Sequence, residues 1–184
     1  MMNNIKLVIY IFLFSHLVFT QNKDPLLSED IEKQSVWVDS IYNTMTLDEK
    51  IGQLFFVQTN SLESNNSEKI KNLIRNQKIG GLIFSKGTPN NQILLTKSFQ
   101  KISEVPLLVS MDAEWGLSMR LDSVPKFPWN MSLGSISNNN LIEKVGKTIG
   151  EQCNTVGIHL NFSPVVDINT NPKNPIIGNR SFGE

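Results

Sequence analysis

The stretch "NSEKIKNLIRNQKIGGLIFSKGTPNNQILL", residues 66–95, contains the alternation of helix and strand that decides the fold. Ser67 can cap a helix, and apolar side chains then recur at helical spacing. The inward positions of this predicted helix are Ile70, Leu73 and Ile74. Two glycines end the connection, and Leu82–Phe84 is a short apolar block typical of a buried strand. The stretch therefore predicts a helix that leads into a strand.

The same alternation extends in both directions along the chain. Upstream, Thr46 and Glu49 have the spacing of a capping box, which predicts a short helix before the apolar block Leu54–Val57. Downstream, Thr88 and Pro89 predict the N-cap and the first turn of another helix. We expect Ile93 and Leu94 to face inward on that helix.

Two more strands and a long helix are predicted towards the carboxyl end. A third strand lies in "VPLLVSM", residues 105–111, and a fourth in "GIHLNFSPVVDIN", residues 157–169, where Pro164 interrupts or ends it. The helix between them has one apolar face, formed by Leu141, Ile142, Val145, Ile149, Cys153 and Val156. Residues 21–45 predict a helical lead-in whose inward positions are Ile31, Trp37, Ile41 and Met45.

Short, continuously apolar strands that alternate with helices are typical of a parallel sheet in an α/β protein. Two architectures fit, a doubly wound sheet and a (β/α)₈ barrel of the TIM type. The chain lacks the glycine patterns of nucleotide-binding open sheets, which favours the barrel. A complete barrel needs about 200 residues or more. We therefore expect residues 46–184 to form an incomplete barrel domain, with only the N-terminal half present.

The first twenty residues have the layout of a secretory signal peptide. Lys6 precedes an apolar run from Leu7 to Thr20, and a polar stretch follows. The run is shorter than the about 20 apolar residues of a membrane span. We expect residues 1–20 to be a signal peptide and the protein to be exported to the periplasm or the extracellular space. An uncleaved N-terminal anchor is the alternative.

Charge and residue usage narrow the classes of function. With 17 basic and 17 acidic residues, the chain has no basic excess to attract nucleic acid or an anionic membrane. Cys153 is the only cysteine, so no internal disulfide is possible, and we expect it to be buried. His159 is expected to be a buried, hydrogen-bonded side chain. Because no cluster of metal ligands and no Ser-His-Asp arrangement is visible, no metal or cofactor is expected.

Polar residues follow the predicted strands, where functional residues of a barrel lie. Asp112 and Asp167 come just past strand ends, and Gln58 and Ser85 have similar placements. Asp112 and Glu114 lie close together in sequence. They are open to three interpretations: an acid and nucleophile pair, a grip on a polar ligand, or a helix cap.

Six segments, in this order, resemble the N-terminal barrel domain of glycoside hydrolase family 3. They are "MTLDEKIGQLFFV", "IGGLIFSKG", "PLLVSMDAEWGLSMRL", "FPWNMSLGSI", "GIHLNFSPVVDIN" and "NPIIGNRSFGE". "DAEWGLSMRL" and "GNRSFGE" are more similar to the β-N-acetylglucosaminidase branch than to the β-glucosidase branch. Trp115 stands where that branch commonly has glycine.

The resemblance implies roles for several residues. Asp112 matches an acid that grips sugar hydroxyls, and Arg120 and Arg180 match substrate-binding arginines. Arg120 could also pair with Asp112 and orient it. Possible supporting residues are Glu114, by bonding loop amides or Arg120; Asp167, by ordering its loop through Arg180; and Trp115, by stacking on sugar or by packing under the loop.

The resemblance also implies the activity, a retaining hydrolase that removes terminal β-linked N-acetylglucosamine from a glycan or cell-wall fragment. Such an enzyme needs a nucleophilic carboxylate and a general acid/base. The segments that carry them in the family are absent before Glu184. We therefore expect no catalytic residue in this chain, and the chain alone to be inactive. A β-glucosidase of the same family and a non-catalytic carbohydrate-binding barrel are the alternatives.

Overall fold

The computed structural model describes residues 30–62 and 64–183, which fall into two compact units that divide after Asn43. In the first unit, helix α1 spans Ile31–Tyr42, and the Asp30 carboxylate caps it by accepting the Lys33 N–H at 2.9 Å. The predicted signal peptide and the start of the predicted lead-in lie outside the described residues.

The prediction of an inward-facing, buried side for α1 is wrong. Ile31 and Trp37 are exposed, and no residue of the helix is buried. Ile41 is only half-buried, as is Met45 beyond the helix end. An apolar face gains burial only where another element packs against it, and α1 is the single described element of its unit.

The second unit alternates helices and strands. In chain order its elements are α2 Leu47–Gly52, β1 Phe56–Thr59, α3 Ser64–Gln77, β2 Gly81–Phe84, α4 Pro89–Ile102, β3 Leu108–Met111, α5 Asn130–Gly134, α6 Asn139–Val156 and β4 Leu160–Asn161. Two 3₁₀ turns, Leu117–Met119 and Gly178–Arg180, lie in the connections. No described helix is long and apolar enough to cross a bilayer.

The strands form one parallel sheet in the order β1-β2-β3-β4. Each strand pairs with the next along the chain; one helix lies between β1 and β2 and between β2 and β3, and two helices lie between β3 and β4. A doubly wound sheet reverses its strand order at a switch point, and no reversal occurs among these strands. The arrangement is that of the first four strands of a (β/α)₈ barrel.

The core lies where β2 and β3 meet the helices. Leu82 pairs with Val109 and Phe84 with Met111, and all four side chains are fully buried. The helices cover them with apolar residues, namely Ile70 and Ile74 from α3, Phe99 from α4, and Cys153 and Val156 from α6. The expected burial of Cys153, and of the isoleucine positions on α3, is confirmed.

The buried face of α4 differs from the prediction. Its buried residues are Gln92, Thr96 and Phe99, whereas Leu94 is 66% exposed. Residues two apart on a helix point to nearly opposite sides, so Leu94 cannot share the face of Gln92. Leu141 of α6 is likewise exposed, because it lies in the first turn, away from the buried end at Cys153 and Val156.

The boundaries of three elements also differ. β1 begins at Phe56, and Leu54 and Phe55 are exposed in the turn that follows α2. α3 begins at Ser64, so Ser67 lies inside the helix instead of capping it. β4 is only Leu160–Asn161, because the chain leaves the sheet before Pro164, which has no N–H to donate.

The two helix starts predicted at Thr46 and Thr88 are confirmed. Thr46 accepts the Glu49 N–H, and Glu49 accepts the Thr46 N–H at 2.9 Å, so the capping box is complete. Thr88 accepts the Asn91 N–H at the start of α4, and Pro89 occupies the first turn.

Candidate functional site

Backbone hydrogen bonds join the loops that follow β1, β2 and β3. Ser61 N–H donates to Lys86 O at 2.9 Å, and Gly87 N–H donates to Arg120 O at 3.2 Å. Gly87 has φ of +147°, and a Cβ there would lie 1.5 Å from Ser61 Oγ. Only glycine fits this crossing. The loops therefore hold the backbone of Arg120 in place. Sequence reasoning did not identify Ser61 or Gly87 as residues that support the site.

Asp112 and Arg120 form an ion pair at the carboxyl end of β3. Asp112 is the first residue after the strand, and the 3₁₀ turn Leu117–Met119 brings Arg120 back towards it. Arg120 Nη2 donates to Asp112 Oδ2, and Nε donates to Asp112 O at 2.7 Å. Asp112 Oδ1 accepts no hydrogen bond from any described residue. One oxygen of this half-exposed carboxylate is thus held and the other is free to accept.

Glu114 and Arg180 form the second ion pair, which is bidentate. Arg180 Nε donates to Oε2 at 2.8 Å, and Nη2 donates to Oε1 at 2.6 Å. Glu114 is buried, with 6% of its side chain exposed. The hydrogen bonds that Arg180 donates to Glu114 raise the pKa of its guanidinium, and the negative charges of Asp112 and Asp167 add to the effect. The two ion pairs therefore lie in one electrostatic cluster.

The partners of Glu114 and Asp167 differ from those expected. Arg180, not Arg120, holds Glu114, and Asp167 is exposed with no side-chain hydrogen bond to Arg180. The loop of Asp167 is ordered through its backbone instead. The buried Ser181 hydroxyl donates to Asp167 O at 2.8 Å, and Asn169 N–H donates to Gly183 O.

Buried Asn130 also supports the segment around Arg180. Its Nδ2 donates to Arg180 O at 2.9 Å, while Gly134, at the end of the same helix, contacts Phe182. A buried asparagine needs a hydrogen-bond partner. Because its burial is seen only in the structure, the sequence did not indicate this role.

Asn161 joins the end of β4 to the loop of Asp112. Its Oδ1 accepts the Ala113 N–H at 3.0 Å, and its Nδ2 donates to Ala113 O at 3.2 Å. Two positions earlier, exposed His159 makes the related contact, because its Nδ1 accepts the Val109 N–H at 3.0 Å. The expected hydrogen bond of His159 is confirmed but its burial is wrong, since β4 is an edge strand of the described sheet.

Trp115 packs against another aromatic side chain. Its ring centroid lies 4.4 Å from that of Trp129, with the planes tilted by 50°. Trp115 also lines a cavity of about 530 Å³ along α6, together with Leu133, Ile149, Phe182 and others. Trp115 thus makes a packing contact with Trp129, and its stacking on sugar stays a prediction.

The cluster presents charged donors and acceptors side by side. A free carboxylate oxygen beside guanidinium N–H groups can bind vicinal hydroxyls through charge-assisted hydrogen bonds. Within residues 30–62 and 64–183, no group of three His, Cys, Asp or Glu side chains is arranged to hold a metal ion. Gln58 is exposed, and Ser85 donates to Thr59 O; neither forms a hydrogen bond with the two ion pairs.

This chain is similar to known proteins at the level of family, sequence and structure. The sequence profile described as "Glycosyl hydrolase family 3 N terminal domain" matches residues 46–184. A β-N-acetylglucosaminidase/β-glucosidase of Cellulomonas fimi is 31% identical over 147 residues, which are 80% of this chain and 26% of that protein. β-Hexosaminidase A of Pseudoalteromonas piscicida is 35% identical over 129 residues, which cover 63% of this chain and 22% of that protein.

A solved structure is similar as well. A fungal multi-domain family 3 β-N-acetylglucosaminidase superposes with a TM-score of 0.66 at 36% identity, covering 76% of this chain and 17% of that one. The chain spans about a quarter of the length of the curated relatives that it matches. The comparisons and the sheet order together identify a barrel fold of the TIM type.

Proposed function

This chain belongs to glycosyl hydrolase family 3, and from that premise we propose that the complete protein releases terminal β-linked N-acetylglucosamine by a retaining mechanism. The family is one of glycosidases, so the substrate is a carbohydrate. The names of the relatives from Pseudoalteromonas piscicida and of the fungal enzyme support the N-acetylglucosaminide as the substrate class.

The observation that carries the proposal is the free oxygen of Asp112. Arg120 holds Oδ2 and the main-chain oxygen, which restricts rotation of a carboxylate that lies just past the carboxyl end of β3. A carboxylate oriented in this way accepts hydrogen bonds from sugar hydroxyls, and such charge-assisted bonds are about twice as strong as neutral ones.

The other residues of the cluster are assigned supporting or binding roles. Arg120 orients Asp112 and offers its remaining N–H groups to the sugar. Arg180 also offers its remaining N–H groups to the sugar. Glu114 holds its side chain, and Asn130 donates to its main-chain oxygen. Asp167 contributes negative charge close to Arg180. These residues bind and orient the terminal sugar.

The chemical step belongs to other groups of the complete protein. Retention requires a nucleophile and an acid/base about 5–5.5 Å apart across the glycosidic bond. Asp112 and Glu114 each form a salt bridge with an arginine, and neither is arranged as such a pair. We assign no catalytic residue within the chain.

The test is a pair of chromogenic assays on the complete protein, one with an aryl N-acetyl-β-glucosaminide and one with an aryl β-glucoside. We expect hydrolysis of the first. Asp112→Asn should raise its KM about 10- to 100-fold, since a charged hydrogen bond contributes about 1.5–3 kcal/mol. Asp122→Asn, an exposed neighbour, is the matched control and should leave KM unchanged. No turnover of either substrate would refute the proposal.

A β-glucosidase is the second candidate. The Cellulomonas fimi relative carries both activities in its name, and it matches four-fifths of this chain. Turnover of the β-glucoside alone would transfer the proposal to this activity.

We also propose that the protein is exported, because Lys6 and the apolar run that follows it match a signal peptide. Cell fractionation of the complete protein with and without residues 1–20 tests this. An unchanged cytoplasmic location of both forms would contradict it.

A further inference from the structure

The side chain of Asn161 continues the β3–β4 pairing beyond the end of the strands. The ladder pairs Ser110 with Leu160 and Met111 with Asn161, and there β4 ends. Beyond it, the Asn161 amide takes the place of a strand backbone, because it both accepts from and donates to Ala113. Ala113 is fully buried, so its N–H would lack a partner among the described residues without Asn161, whereas its C=O also accepts the Gly116 N–H at 3.0 Å.

Ala113 stands between the two acids of the candidate site. Its N–H belongs to the peptide unit whose carbonyl is Asp112 O, the acceptor of Arg120 Nε. Its C=O belongs to the peptide unit that leads to Glu114, the partner of Arg180. Fixing both peptide groups sets the directions in which the Asp112 and Glu114 side chains leave the backbone.

We propose that Asn161 is a positioning residue that holds Asp112 and Glu114 in their sugar-binding geometry. The inference rests on the proposed function for its effect on substrate, but the positioning itself is independent of that function. Asn161 needs no contact with the sugar to act in this way. Substrate affinity should therefore depend on a side chain of the neighbouring strand.

Gln100 provides a matched control at the opposite end of β3. Its Nε2 donates to Leu107 O at 2.8 Å, and its Oε1 accepts the Leu107 N–H at 2.9 Å. This is the same pair of amide–backbone bonds, formed one residue before the start of β3. Removing either amide deletes the same two interactions, but only Asn161 acts on the site.

The experiment compares Asn161→Ala and Gln100→Ala in the complete protein. Both should lower Tm to a similar extent. Only Asn161→Ala should raise the KM for the aryl N-acetyl-β-glucosaminide, by about tenfold or more, because small displacements of positioning groups have large effects. Its kcat should change about twofold at most, since the reacting groups lie elsewhere. Asn161→Asp keeps the shape of the side chain but loses the N–H donor, and it should also raise KM. This variant provides the test if Asn161→Ala fails to fold.

Hydrogen–deuterium exchange of the peptide around Ala113 supplies a readout that needs no activity. Exchange there should speed up in the Asn161 variants and stay unchanged in Gln100→Ala. Unchanged exchange, or an equal KM for the Asn161 and Gln100 variants, would overturn the inference. A wild-type protein without hydrolysis would refute the proposed function instead, and the exchange result would still decide the role of Asn161.

Discussion

Glu114 is a charged side chain in a nearly water-free position, and Arg180 offsets the cost of its burial. The two hydrogen bonds of the fork are short and geometrically matched. The two side chains differ in exposure: 34% of the Arg180 side chain is exposed to solvent, compared with 6% of the Glu114 side chain. Loss of Arg180 therefore leaves a buried charge, whereas loss of the Glu114 charge leaves a guanidinium that water can reach.

This asymmetry gives a prediction at the residue scale. Arg180→Ala should lower the free energy of unfolding by about 2–3 kcal/mol, below the 3–5 kcal/mol typical of a fully buried pair because Arg180 is partly exposed. Glu114→Gln keeps an acceptor for Arg180 and should cost about 1–2 kcal/mol. Urea unfolding followed by tryptophan fluorescence measures both, with Asp122→Asn as the exposed control. An Arg180→Ala variant as stable as this control would contradict the prediction.

At the scale of elements, the short helix α5 fixes the segment that carries Arg180. A Cβ on Gly134 would lie 1.7 Å from Phe182 O, so the end of α5 and the chain after Arg180 are in direct backbone contact. Glycines of α6 have no such constraint, since nothing lies within 4 Å of a Cβ on Gly146. A side chain would therefore clash at Gly134 but would have space at Gly146.

Alanine at these two glycines should have opposite effects. Gly134→Ala forces the backbone of Phe182 to move and should cost about 1–3 kcal/mol, as overpacking usually does. Gly146→Ala has space in a helix interior and should stabilise the chain by about 0.5–1 kcal/mol. Thermal unfolding measures both. Equal shifts in Tm would show that the contact between α5 and Phe182 is absent.

The capping box of α2 predicts that the folding stability of the protein depends on pH. The backbone hydrogen bond from Thr46, followed by that from its hydroxyl, lowers the pKa of Glu49 below its ordinary value of 4.5. A lowered folded pKa means that the contribution is present above the unfolded pKa and is lost as pH falls through the folded one.

Glu49→Gln preserves the shape of the box without the titrating group. Between about pH 6 and pH 3, a range that spans the carboxyl pKa, the Tm of the wild type should fall further than that of this variant. Parallel declines in the two Tm values would mean that Glu49 contributes nothing to the acid sensitivity.

At the scale of the whole molecule, the described sheet is open, with β1 and β4 at its edges. Around β4, apolar side chains are exposed, among them Phe162, Ile168 and Val166, the last at 86%. Unpaired strand edges beside exposed apolar side chains favour association between chains.

We therefore expect the 184-residue chain, produced by itself, to self-associate. Size-exclusion chromatography should show soluble oligomers or loss on the column. Val166→Lys should increase the monomer fraction, because charge next to an edge opposes pairing. Leu94→Lys, an exposed position on α4, is the matched control and should have little effect. A monodisperse wild-type monomer would contradict this prediction.

Local features were predictable from the sequence. The starts of α2 and α4 follow from Thr46, Glu49, Thr88 and Pro89, whose partners lie three residues away. The alternation of apolar strands with helices predicted the parallel sheet. The pair of Asp112 and Arg120, eight residues apart, was also within reach of sequence reasoning, because it closes within one loop.

Only the tertiary structure decided which distant groups meet. Glu114 pairs with Arg180 across 66 residues, and Asn161 with Ala113 across 48. The exposure of Leu54 and Leu94 and the short length of β4 also depend on which elements pack together. The physical reason is range: caps and periodicity arise from bonds within a few residues, whereas partner choice depends on how the whole fold places the strands and loops.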